Sequence, residues 1–194
     1  MIKLSEKTIL EAIRNNDMEK VEALVNEAIQ VSNFSTTDKK RYNAFKSIAK
    51  KFKKSSVRPS LAGAFTNKDN NLTVCNGYIV ITINKESLEN CEMIENGVEK
   101  VNTDKFFNDR ESDVLELNVN DVLGFLKLSK SRKEKNAIYN HEKISFDAEL
   151  FKIINDCLDL TADDTKIKYT NDVSPLFFEN KNGKALLMPI RKNS

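Results

Sequence analysis

The sequence predicts an α+β fold, in which an N-terminal helical arm precedes two units that each run from a helix into short strands. Three observations predict it. Residues 143–191 read as a strand, a helix and three further strands, a β-α-β-β-β order. Residues 39–83 read as a basic amphipathic helix followed by alternating strands, and residues 5–31 carry only helical periodicity.

The C-terminal unit has the clearest punctuation. Ile144 and Phe146 alternate with polar neighbours, as in a half-buried strand. Asp147 suits a helix N-cap, and Leu150, Phe151, Ile153, Ile154, Cys157, Leu158 and Leu160 form an apolar face on a helix reaching about Leu160. Ile167 and Tyr169 alternate with polar residues in the next strand, and Asn171-Asp172 marks a turn. A strand opens at Pro175-Leu176-Phe177-Phe178, Asn180-Lys181-Asn182-Gly183 signals a hairpin, and the last strand runs from Ala185 to Arg191.

Earlier in the chain, residues 1–37 read as the helical arm. Part of it, residues 11–28, has the pattern of one ankyrin-type helix pair. No second copy follows at that period, and an isolated repeat cannot bury its face, so the arm reading is preferred. Residues 38–194 read as the globular domain. It starts with a helix from Thr37 or Asp38 to about Phe52, with Tyr42, Phe45, Ile48, Ala49 and Phe52 on one face and lysines around the rest. Two strands follow, over 57–65 and 72–83, with a polar turn between them. Residues 84–114 read as an acidic, loop-rich insertion with room for a short helix. A strand at 114–117, a helix at 118–128, a basic loop at 129–136 and a short strand at 137–139 complete the chain.

The net charge is only +2, but the charges are segregated. From Lys39 to Arg58 there are nine basic residues and no acid, whereas from Glu86 to Glu116 acids outnumber bases ten to three. Such a basic stretch suits a polyanionic partner. With one histidine, His141, a histidine-rich metal site and a serine–histidine triad elsewhere in the chain are excluded by count, and His141 itself, in polar Tyr139-Asn140-His141-Glu142-Lys143, reads as solvent-exposed. Five glycines form no phosphate loop. Cys75, Cys91 and Cys157 have no metal-ligand or disulfide spacing and read as reduced thiols of a cytoplasmic protein. Asp156, Asp159, Asp163 and Asp164 read as solvated acids around a helix end. No apolar run has the length of a membrane span, and the first residues lack a signal-peptide core. The expectation is a binding protein with no catalytic residue, no metal and no cofactor.

Two blocks then carry a resemblance. The order β-α-β-β-β ending in Leu186-Leu187-Met188-Pro189-Ile190-Arg191, with Ser174-Pro175-Leu176-Phe177-Phe178 before it, resembles the end of the bacterial DNA polymerase III beta subunit, the sliding clamp. Arg58, Leu61 and Gly63, followed by Cys75-Asn76-Gly77-Tyr78-Ile79-Val80, are similar to the start of that family's middle domain. Asn76 stands where the family has aspartate, and Ile79 where it has arginine, which leaves that arginine's role unassigned here. The resemblance covers about half of the chain, near 39–83 and 143–192. It implies a DNA-clamp-like fold of β-α-β-β-β repeats at the scale of one clamp domain.

The resemblance also implies two binding devices. Basic helices would hold duplex DNA without reading sequence, here through Lys39, Lys40, Lys46, Lys50, Lys53, Lys54 and Arg58. A pocket would capture clamp-binding peptides of polymerases or repair proteins, here at Leu61, Cys75, Tyr78, Val80, Met188, Pro189, Ile190 and Arg191. The helix at 147–160 is acidic, with Asp147, Glu149, Asp156 and Asp159 against Lys152, and would repel a DNA backbone. The leading expectation is a clamp-like replication accessory protein, of phage-like reduced size and able to form a homo-oligomer. The alternatives are a clamp-derived interaction module or decoy that does not encircle DNA, and a basic-helix nucleic-acid binder with an unrelated α+β fold.

Overall fold

The computed structural model describes residues 18, 20, 21, 36–69, 71–83, 91–95, 98–107 and 113–191. The chain divides into two compact units, Met1–Lys40 and Arg41–Ser194. The arm expected over 1–37 lies mostly outside the described residues, where Met18, Lys20 and Val21 are helical. The second unit is α+β, with its strands gathered mainly into one antiparallel sheet.

Helix α1 (Thr36–Ser55) leads into β1 (Ala64–Thr66), β2 (Leu72–Cys75) and β3 (Ile79–Ile83). After the insertion come β4 (Asp113–Val114), α2 (Val119–Ser131), β5 (Ile138–Asn140) and β6 (Ser145–Asp147). Helix α3 (Ala148–Leu158) then leads into β7 (Lys166–Tyr169), β8 (Leu176–Asn180) and β9 (Gly183–Leu187). The seven-stranded sheet has the order β1-β2-β3-β9-β8-β7-β4, and every neighbouring pair is antiparallel. β5 and β6 form a separate two-stranded sheet.

Two similar halves are visible in that order. Each is a helix followed by a three-stranded meander, and the halves meet through their third strands, β3 and β9, in register from Ile79↔Leu187 to Ile83↔Gly183. Side chains alternate along each strand, so the register assigns two faces. Ile79, Ile81, Ile83, Ala185, Leu187, Leu176 and Phe178 join the helices in the main core. From α1 come Phe45, Ile48, Ala49 and Phe52, from α2 Val122 and Leu126, and from α3 Phe151, Ile154 and Leu158. An aromatic series runs through this core. Phe125, Tyr139, Phe146, Phe151 and Phe178 follow one another with ring centroids 5.4, 5.5, 5.5 and 5.8 Å apart.

Side-chain polar groups hold both ends of α3. The Asp147 carboxylate accepts from the backbone N–H groups of Glu149 and Leu150 at 2.7 and 3.2 Å, capping α3 as its sequence position predicts. Its far end is held by tertiary partners. Asn180 Nδ2 donates to the carbonyls of Leu158 and Asp159, and Asn182 Nδ2 donates to that of Leu158. The residues that predict the β8–β9 hairpin therefore also satisfy last-turn carbonyls of α3.

Several boundaries differ from the sequence reading. Residues 72–83 are two strands, because Asn76 Oδ1 accepts from the N–H groups of Tyr78 and Ile79 and Gly77 takes φ +89°, closing a tight hairpin. The expected strand at 57–65 is a 3-10 turn at Pro59–Leu61 and becomes strand only at Ala64. Helix α2 continues to Ser131, into the expected basic loop, since Ser129 is buried on its inner face. Helix α3 stops at Leu158 because Asp159 turns to φ +55°. The last strand ends at Leu187. Beyond it Met188 N–H donates to the Tyr78 carbonyl and Ile190 N–H to that of Ser145, so the tail runs from the main sheet to β6. The first strand of the C-terminal β-α-β-β-β unit, β6, pairs with β5 outside the main sheet. No strand precedes α1 among the described residues.

Phe151 is fully buried and touches both Phe146 and Phe178, so it links the β5–β6 hairpin to the main sheet. Phe151→Ala is expected to lower the unfolding free energy by about 3–5 kcal/mol. Denaturant titration reads this directly, and a loss below about 1 kcal/mol would show that the two sheets do not depend on one shared core.

Candidate nucleic-acid and peptide interfaces

Helix α1 has one face anchored in the core and its opposite side lined with lysines. Lys46, Lys50 and Lys53 recur at i, i+4 and i+7 and so form one stripe, with Lys54 beside it. Lys50, Lys53, Lys54 and Arg58 are exposed, and Lys46 is half-buried. Lys39 and Lys40 are exposed residues of the first unit. Of the residues expected to bind DNA, the structure therefore brings Lys46, Lys50, Lys53 and Lys54 together on one helix, and Arg58 follows that helix.

The sequence reading missed what lies beside this stripe. The acidic insertion returns as an extra strand-like segment along the edge of β1, with a parallel bridge between Ala64 and Met93. Ala64 N–H donates to the Glu92 carbonyl at 2.8 Å, and Ile94 N–H donates to the Ala64 carbonyl at 2.9 Å. Gly63 permits this approach, because a Cβ there would lie 2.7 Å from the Glu92 carbonyl oxygen. The segment brings Glu92 Oε2 to 2.8 Å from Lys53 Nζ, an ion pair with both side chains a little under half exposed. The hydrogen bond and charge of Lys53 hold the Glu92 carboxyl below its ordinary range, and Lys50 and Lys54 act in the same direction. Glu92 in turn raises Lys53, with a smaller contribution from Glu95. The charge segregation seen along the sequence is thus partly cancelled in space.

The residues expected to bind peptides fall into two groups. On the sheet face opposite the main core, Cys75 pairs with Val80, Val80 with Leu186, and Leu186 with Phe177. Cys75, Val80 and Leu186 are buried there, packed against Leu61, Phe107 and Phe177. Leu61, Cys75 and Val80 are therefore together, but Phe107 of the insertion packs against the same cluster. Its one signal in the sequence is the pair Phe106-Phe107 within an acidic stretch. Tyr78 and Met188 form the second group. They are joined by the Met188 N–H to Tyr78 carbonyl bond of 2.8 Å and are 65% and 39% exposed. Pro189 and Ile190 continue toward β6 half-buried, and Arg191 is exposed.

The acids of α3 have local partners. Asp147 caps the helix, and Glu149 lies 3.4 Å from Lys130 of α2. Asp156 pairs with Lys152, and Asp159 accepts from the Thr161 hydroxyl. Of these acids, Glu149 is the one given a basic partner by another helix, so Lys130 offsets part of the negative charge beside α3. Among the described residues, no group of histidine, cysteine, aspartate or glutamate is placed to hold a metal ion, and no helix is long and apolar enough to cross a membrane. Comparison of the chain with family models, with curated proteins and with solved structures finds no match.

The three cysteines are free thiols that report on these surfaces. Burial raises each above its ordinary range, with Cys157 shifted furthest and Asp156 adding to its shift. Cys75 and Cys157 are buried, while Cys91, beside Lys46 and Glu92, is half-buried. A raised thiol pKa means less thiolate at neutral pH, so alkylation of the native protein should be slow there and accelerate as pH rises. Mass spectrometry after timed iodoacetamide treatment should find Cys91 modified first, with Cys75 and Cys157 modified only on unfolding. Rapid modification of Cys75 in the folded protein would show that the Cys75–Val80–Leu186 cluster is open.

Proposed function

We propose that this chain is a clamp-like binding protein, a replication accessory factor that holds duplex DNA loosely through α1 and takes up clamp-binding peptides of polymerase or repair proteins beside Tyr78 and Met188. The observation that carries the reading is the repeated half. A helix anchored in the core leads into a three-stranded meander, twice, and the first of these helices presents a lysine stripe outward. Lysines on a rigid helix meet phosphates at fixed spacing without reaching base edges, so binding is independent of sequence. The clamp-like arrangement of the α+β fold, the DNA-clamp resemblance of the two blocks and assembly into a homo-oligomer belong to this proposal.

Duplex DNA of arbitrary sequence should bind at low ionic strength. With about three phosphates neutralised, affinity should fall about fortyfold as salt rises from roughly 50 to 200 mM. Replacing Lys46, Lys50, Lys53 and Lys54 by glutamate should abolish binding in a fluorescence anisotropy titration. Undetectable binding by the native protein at low salt would reject the DNA-holding role.

A second reading, a peptide-binding module or decoy that does not encircle DNA, is favoured by the exposed pair Tyr78 and Met188 together with the acids beside the lysine stripe. On either reading Met188→Ala should weaken a fluorescent clamp-binding peptide by about 1–3 kcal/mol, the scale of a lost interface anchor. An unchanged peptide affinity would remove Met188 from the interface, and light scattering separates the readings. A symmetric oligomer favours the clamp, a monomer the module.

A further inference from the structure

We infer that Glu92 is a built-in competitor for DNA phosphate, which occupies Lys53 and thereby sets the affinity and salt dependence of the basic helix. The inference rests on the DNA-holding role proposed above. Three observations lead to it. First, Glu92 is held in position by its backbone. Its carbonyl accepts from Ala64 N–H at 2.8 Å, two residues later Ile94 N–H donates back to Ala64, and Gly63 leaves the space for this approach. The carboxylate therefore meets Lys53 without the full ordering cost that a surface pair on mobile segments would incur.

Second, Glu92 acts on more of the stripe than Lys53. It lies 2.8 Å from Lys53, and the charges of Lys50 and Lys54 also act on its carboxyl. Glu95 adds a second negative charge near Lys53. A phosphate approaching these three lysines meets a carboxylate of like charge already among them. Third, the pair is open to water, with side chains 45% and 42% exposed. Such a pair is screened by salt and can be displaced by another anion, so it weakens binding without preventing it. In a protein that holds duplex DNA loosely, such a pair lowers the affinity of the basic helix further.

The test measures the native protein, Glu92→Gln, Lys53→Gln and the double variant against one labelled duplex over a salt series. Glu92→Gln should bind about three- to tenfold more tightly at low salt, from loss of one adjacent like charge. Its log–log salt slope should steepen by about 0.9, one further phosphate neutralised. Lys53→Gln should weaken the native protein several-fold less than it weakens Glu92→Gln, since Glu92 already engages that lysine, and should cancel the gain when made in the Glu92→Gln background. Binding by Glu92→Gln alone, with none by the native protein, would reject the DNA-holding role of the native chain and with it the inference. Equal affinity and slope for native and Glu92→Gln, or an equal loss from Lys53→Gln in both backgrounds, would overturn the inference while leaving the DNA-holding role intact. Absence of binding by every variant would reject both.

Discussion

The pairing of β3 with β9 is the constraint on which the rest of the second unit depends. Among the described strands it is the pairing that joins the two helix–meander halves, and it links residues about a hundred positions apart in the chain. Its register from Ile79↔Leu187 to Ile83↔Gly183 turns Ile79, Ile81, Ile83, Ala185 and Leu187 toward one core. A slip of β9 by one residue would turn Ala185 and Leu187 to the opposite face and place Leu186 among the helices. The opposite face would then lose the Cys75–Val80–Leu186 cluster, and the Tyr78–Met188 bond at the end of the same seam could not form.

That second face explains why the insertion packs where it does. An antiparallel sheet can leave one face to solvent only if that face is polar. Here Phe65, Cys75, Val80 and Leu186 all lie on it, and all are buried. Phe107 packs against the Cys75–Val80–Leu186 cluster, and Met93, Ile94 and Val98 line a cavity of about 270 Å³ with Phe65. Thr73 and Thr82 are buried on the same face and satisfy each other through a hydroxyl–hydroxyl bond of 2.9 Å. Further along, the row turns polar, with Lys184 paired to Glu179 at 3.0 Å. The acidic segment thus has an apolar side fitted to the sheet, and the same docking delivers Glu92 to the basic helix.

Electrostatics in this protein is therefore a matter of local pairing more than of net charge. Lys53 with Glu92, Lys130 with Glu149, Lys152 with Asp156 and Lys184 with Glu179 are all pairs between partly exposed groups. Each is too well solvated to contribute much stability. Their consequence lies in the surface potential, since they lower the field of both the basic and the acidic helix. A partner recognised by charge would meet a moderated surface whose strength follows the ionic strength of its surroundings.

The sequence by itself determined the local elements. The Phe45–Ile48–Phe52 spacing determined the inward face of α1, Asp147 the start of α3, and Asn180 to Gly183 the last hairpin, because helix period, capping and turn chemistry depend on neighbours a few residues away. It also placed the lysine stripe, since residues at i, i+4 and i+7 share a helix face whatever surrounds them. Only the tertiary structure decided the rest. The strand order, the β3–β9 seam, Phe107 against the Cys75 cluster and Glu92 against Lys53 all join residues far apart in sequence, and no local preference specifies such distances. Asn76 and Asn180 show the boundary between the two. Asn76 acts on residues two and three positions away and marks a turn, whereas Asn180 also reaches back 22 residues to close a helix. A sequence specifies a hydrogen-bonding group, but the partner of a long-range bond exists only once the chain has folded.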